Sequence, residues 1–132
     1  MTKVLDRTIA VEYSPSRDDW AKIAETIWIT ALEGGSNHWI DYIHVSGHVL
    51  KSGYDVVDSN FDIVIHHGSE GWGDDDVETE EVKAFDVIFN GIKLLDADRQ
   101  RQALTTSELG QLDAIDCDLI IQLGVFGKEV YC

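Results

Sequence analysis

Positive charge is scarce in this chain. Its 132 residues hold 10 Lys and Arg against 25 Asp and Glu, a formal net charge of −15. Phosphate-rich surfaces are gripped by clustered Lys and Arg, so this balance argues against direct binding to DNA, RNA or an anionic membrane. Cysteine is nearly missing too. Cys117 and Cys132 are too few for a disulfide framework, which suits a reducing cytoplasm. No apolar run reaches 18 residues, so no membrane-spanning helix is expected. Residues 1–7 lack the apolar core of a secretory signal. Proline occurs once, yet 44% of residues are hydrophobic, which excludes a disordered acidic tail. The length fits one acidic domain over residues 1–132, able to bury about two-thirds of its unfolded surface without metal or disulfide.

Periodicity supplies the elements. Ile9, Val11 and Tyr13 alternate and predict a strand over 8–13, which Pro15 stops. Ser16 reads as a helix N-cap, followed by the stripe Trp20, Ile23, Ala24, Ile27 and Ala31, with Gly34 and Gly35 ending the helix. Residues 39–49 predict a strand, with Ile43 and Val45 on one face and Tyr42 and His44 on the other. Gly47 and Gly53 suggest a hairpin into Tyr54–Val57, and Phe61, Ile63 and Ile65 a further strand. Thr79 reads as the cap of a helix whose core face is Val82, Phe85, Ile88, Phe89, Ile92 and Leu95. Thr105 or Thr106 reads as the cap of a short helical turn reaching Leu109. Asp113 and Asp116 resemble a capping box for a last helix over 114–126, closed by Gly127, with Glu129–Tyr131 returning as an edge strand. The expected fold is α+β: an antiparallel sheet of about four to five strands with two long helices and one short helix packed on it.

Two segments carry a likeness. Glu33-Gly34-Gly35-Ser36-Asn37-His38-Trp39-Ile40 follows the first helix, and Asp118-Leu119-Ile120-Ile121-Gln122-Leu123-Gly124-Val125-Phe126-Gly127-Lys128-Glu129-Val130-Tyr131 comes near the end. The pair resembles a group of small uncharacterised proteins of bacteriophages and prophages, in which an EGGxNxW element precedes an LQxxxFGxxVY-type ending. Cys132 stands where Gly is commoner in that group. The resemblance implies a phage or prophage setting, hence the cytoplasm of an infected or lysogenic bacterium, and implies no mechanism.

Catalytic patterns are missing. His44 and His48 lie four apart on the predicted strand, hence about 13 Å apart, and cannot chelate together. No CxxC, HExxH or GxSxG occurs, and Cys117 sits between Asp116 and Asp118, which disfavour a thiolate. No metal, no cofactor and no enzymatic activity are expected. The strongest feature is acidic: Glu70, Asp74, Asp75, Asp76, Glu78, Glu80 and Glu81 fall in twelve residues without a Lys or Arg, around Trp72. A solvated loop running into an acidic first helical turn explains this blandly. The functional expectation is that this run, with Asp113, Asp116 and Asp118, forms a negative face with an aromatic anchor that docks into a basic groove. In a phage setting that face would belong to an inhibitor of a host defence or nucleic-acid-handling protein, an anti-CRISPR-like protein or nucleic-acid mimic. The alternative is a sponge for a nucleotide signal, built on Asn37, His38, Trp39, Tyr42 and His44, with Trp39 or Tyr42 stacking on a base. A homodimer is compatible with both.

Overall fold

Ser16 starts the first helix as its neighbours predict. In a computed structural model that describes residues 14–68 and 77–131, its hydroxyl accepts from the Asp19 N–H while the Asp19 carboxylate accepts from the Ser16 N–H. This reciprocal cap opens α1 (Arg17–Thr30), which runs into a wider π-helical turn, Ala31–Gly35. Its apolar stripe is buried as the spacing requires: Trp20, Ile23, Ala24, Ile27 and Trp28 are all inaccessible. The strand expected over 8–13 lies outside the described residues, as do Glu70, Trp72, Asp74, Asp75, Asp76 and Cys132.

β1 (Ile40–Val45) and β2 (Asp62–His67) pair antiparallel, with a bulge between Ile40 and Tyr42. β3 (Glu78–Lys83) pairs antiparallel with the other side of β2, opposing Glu78 to His67 and Val82 to Ile63. Among the described residues the sheet therefore has three strands in the order β1-β2-β3. Ile63, Ile65 and His67 are buried with the helices, while Tyr42 and His44 turn outward and stay exposed. The chain is α+β with an antiparallel sheet, as expected, but has fewer described strands and more helices than the sequence suggested.

Three expectations are corrected. Residues 54–57 are not a strand: they belong to α2 (Gly53–Ser59), capped by the Ser52 hydroxyl on the Asp55 N–H. The valines there serve as buried helix contacts, and a side chain at Gly53 would collide with the Ala21 carbonyl of α1. Backbone proximity between these two helices overrides the β-preference of Val56 and Val57. Thr79, Glu80 and Glu81 are not a helix start either, because pairing with β2 holds them in β3. The helix begins later, as α3 (Ala84–Lys93), and Lys83 gives it no side-chain cap. Asn60 supplies the cap from a distance: its Oδ1 accepts from the Phe85 N–H at 2.8 Å and the Asp86 N–H at 3.2 Å. Lastly, Glu129–Tyr131 forms no strand.

Residues 97–104 form α4 (Ala97–Leu104), capped by Asp96, and a short 3₁₀ turn follows at Leu109–Gln111. α5 (Ala114–Phe126) has the expected double cap of Asp113 and Asp116 and ends on Gly127 in the left-handed region. The core joins α1, α3 and α5: Trp20 meets Phe85 edge-on at 5.2 Å, and Trp28 donates its indole N–H to the Ala84 carbonyl. α3 and α5 touch main chain to main chain, since a Cβ on Gly124 would overlap the Val87 carbonyl. No helix among the described residues is long and apolar enough to cross a membrane.

Candidate functional site: a buried carboxylate under an acidic sheet end

The two segments picked out in the sequence meet in space. Asp118, on the face of α5 turned toward the π-helical turn, is a buried acid. Its Oδ1 accepts from the Ser36 hydroxyl at 2.7 Å and the Trp39 indole N–H at 2.6 Å. Its Oδ2 accepts from the Gln122 side-chain amide at 2.9 Å, and His38 Nε2 lies 3.9 Å away. Three neutral donors thus surround a carboxylate removed from water, which is how a buried anion becomes tolerable.

Gln122 is inaccessible and links this carboxylate to the segment after α5. Its Oε1 accepts from the Val130 and Tyr131 N–H groups, and its Nε2 also donates to the Tyr131 carbonyl. The Tyr131 ring stacks on Trp39 at 5.2 Å with planes 11° apart, and Phe126 packs beside both. The Tyr131 hydroxyl meets His67 Nδ1 at 2.7 Å, and His67 Nε2 reaches the Glu80 carboxylate at 3.1 Å. An ionised Glu80 accepts from the Nε2–H, which leaves Nδ1 to accept from the phenol. Burial, and then the charges of Glu78, Asp41 and Glu80, hold the Tyr131 phenol above its ordinary pKa.

Those three carboxylates mark one end of the sheet, where β1 begins and β3 begins. Glu78 and Glu80 share the side of β3 that faces His67, whereas Glu81 alternates to the outer face with Thr79 and Lys83. Four of the described cations are paired elsewhere. Arg17 pairs with Asp58, Lys83 with Asp62, Arg99 with Asp96 and Asp116, and Arg101 with Asp98 and Glu108. Among the described residues no Lys or Arg pairs with Glu78, Glu80 or Glu81.

The residues of the alternative ligand site are split. Trp39 is buried, with both its ring face and its N–H committed inside, so it cannot stack on a base. His38 is exposed and its Nδ1 is bonded to the Gly35 carbonyl. Tyr42 is exposed and already stacks on His66 at 4.0 Å. Asn37 and Tyr42 do line a common groove of about 340 Å³, floored by Leu32, Ile43 and Leu50 with Asp41 at its wall. His44 stays on the outer face of the sheet and does not line that groove.

Cys117 is buried, and desolvation first, then Asp116 and Asp113, pushes its thiol up to about 12; of the two flanking acids named from the sequence, Asp116 contributes. No three His, Cys, Asp or Glu side chains among the described residues are grouped to hold a metal ion. Sequence reasoning put Asp118 on the negative face, but it is buried with both oxygens bonded inside, and it missed Gln122 and His67 altogether. A usable hint was present: after the capping Asp116, Asp118 and Gln122 are the polar residues of a largely apolar helix, four apart, the spacing of a facing pair. No protein-family model, curated protein or solved structure matches this chain.

Proposed function

We propose that this chain is an acidic binding protein of phage type that docks carboxylates into the basic, nucleic-acid-binding groove of a host protein and thereby inhibits it. The observation that carries the reading is the gathering of Asp41, Glu78 and Glu80 around Tyr131 at one sheet end. Glu70, Asp74, Asp75 and Asp76 fall between β2 and β3 in the sequence, outside the described residues, and support the reading by their charge alone. The Asp118 network ties Ser36 and Trp39, just before β1, to α5 next to these charges. Fixed like charges of this kind accelerate encounter with a cationic surface and weaken sharply as salt rises.

The test is capture of partners from a bacterial lysate at low ionic strength, followed by stopped-flow association with the purified partner. Association should slow at least tenfold between about 0.05 and 0.5 M salt, as the Debye length shrinks. Asp74→Lys, Asp75→Lys and Asp76→Lys together should slow it comparably at low salt. Salt-independent binding refutes the proposal. The nucleotide-sponge alternative now rests on the Asn37–Tyr42 groove without Trp39. Calorimetry against a panel of cyclic nucleotides decides it, and a flat response removes it.

A further inference from the structure

The groove beside Asn37 and Tyr42 runs along an open margin of the sheet. Ile40, Asp41, Tyr42 and Ile43 all line it, and no residue of β2 does. Successive side chains of a strand point to opposite faces, so four in a row border one groove only along the edge away from β2. Outside the β2 ladder, no hydrogen bond among the described residues reaches the peptide groups of residues 42–45. Alternate peptide groups of such an edge strand point away from its neighbour, here toward the groove. The groove floor is apolar, made by Leu32, Ile43 and Leu50. Leu32 and Leu50 also border a smaller hollow of about 60 Å³, walled by Trp28 and Ile29 with Glu33 and Lys51 beside it.

We propose that this edge binds an extended segment of a partner protein, in which Lys or Arg alternates with aliphatic residues, as a strand added beside β1. Main-chain hydrogen bonds along the edge hold the segment, and its aliphatic side chains enter the groove and the Trp28 hollow. Charge selects the occupant. The protein carries −15 overall, with Asp41 at the groove wall and Glu33 at the hollow. Glu33 has no ion pair among the described residues, whose Arg side chains are engaged elsewhere. Lys51 offsets one of the two carboxylates and leaves the margin negative. A second copy of the chain would bring its own −15 to the contact and a nucleotide its phosphate, so both meet repulsion. A basic segment meets attraction, and its aliphatic residues remove the apolar floor from water. This site goes beyond the docking reading and does not rest on it: there the protein enters a partner's groove, here it receives a partner's chain.

The probe is a capped hexapeptide alternating lysine and valine, titrated into the full chain at about 0.15 M salt, where long-range attraction is screened. Amide NMR should show saturable shifts centred on residues 40–45 and 50–51, with hydrogen exchange at 42–45 slowed in the complex. Two further peptides, methylated on alternate backbone nitrogens in either register, keep the charge. The one that blocks the N–H groups facing β1 should bind at least about tenfold more weakly than the other. Hexalysine, which has the charge without the aliphatic side chains, should also lose at least about tenfold. Glu33→Lys, a change at an exposed position, should weaken the parent peptide about threefold. Hexalysine binding as well as the parent, both methylated peptides binding alike, shifts centred on other residues, or displacement by a cyclic nucleotide would overturn the assignment. Shifts at 42–45 that follow protein concentration without peptide would give the edge to a second copy and overturn it too.

Discussion

Replacing Asp118 with Ala tests whether the buried carboxylate holds the fold together or merely survives in it. The substitution removes the acceptor for the Ser36 hydroxyl, the Trp39 indole N–H and one N–H of Gln122. Gln122 keeps a bond to the Tyr131 carbonyl, and the Ser36 hydroxyl can rotate toward another acceptor. The Trp39 N–H has no such freedom. Each stranded buried donor costs about 1–3 kcal/mol, so one donor lost outright and two weakened come to about 3 kcal/mol. Relief from burying a charge works in the opposite direction, and for some buried ion pairs it dominates. At about 3–5 °C per kcal/mol for a domain of this size, the midpoint of thermal unfolding should fall by about 10 °C. Urea unfolding followed by far-ultraviolet circular dichroism gives the free energy directly, with Glu129→Ala as a surface control. Ser36→Ala should cost about 1 kcal/mol, and the double variant less than the sum, because the two groups are in contact. A stability for Asp118→Ala within about 0.5 kcal/mol of the parent would refute the reasoning, showing that desolvation cancels the three bonds.

Further predictions draw on other parts of the molecule. Gly124→Ala should destabilise by about 2–3 kcal/mol through collision with the Val87 carbonyl, whereas Gly110→Ala, which meets open space, should stay within about 0.5 kcal/mol in the same urea assay. In a Cys132→Ser background, the Cys117 thiol should react with a disulfide reagent at pH 8 only as fast as the protein unfolds, because its pKa is pushed up to about 12; rapid native-state labelling would contradict this. The Arg17 guanidinium hydrogen bond holds the Asp58 carboxyl below its ordinary value. That contribution is complete above the unfolded-state carboxylate pKa near about 3.9 and disappears as the pH drops through the lower folded value. The melting-temperature gap between the parent and Asp58→Asn should therefore close in acid, and a gap that widens there would be the wrong sign. Asn60→Ala should cost about 1–2 kcal/mol by uncapping α3, read from thermal unfolding.

What the sequence made legible was whatever lay within one element. Ser16 with Asp19, and Asp113 with Asp116, announced α1 and α5 because both partners of each cap sit three residues apart. Ile63 and Ile65 announced β2 by strict alternation. The errors came where a distant partner decided. Glu78–Lys83 carries a helix-like composition but is held by β2, and the true cap of α3 arrives from Asn60, 25 residues before Phe85. Tyr54, Val56 and Val57 look like a strand locally and are helical because α2 must lie against α1. At the candidate site, the two segments singled out in the sequence meet in space, but their chemistry was not legible in them. The link between them runs through Asp118, a single residue whose partners stand 82 and 79 positions away.

The Gln122 clamp has a consequence for what may follow the last helix. One carboxamide does for Val130 and Tyr131 what a neighbouring strand would do, contacting peptide groups and ignoring side-chain identity. Lys128 and Glu129, both exposed, are therefore open to wide replacement, while an imino acid at position 130 would forfeit a bond the clamp expects. Amide exchange at 130 and 131 should then keep pace with the interior of the helix, so that this short stretch opens only when the helix does.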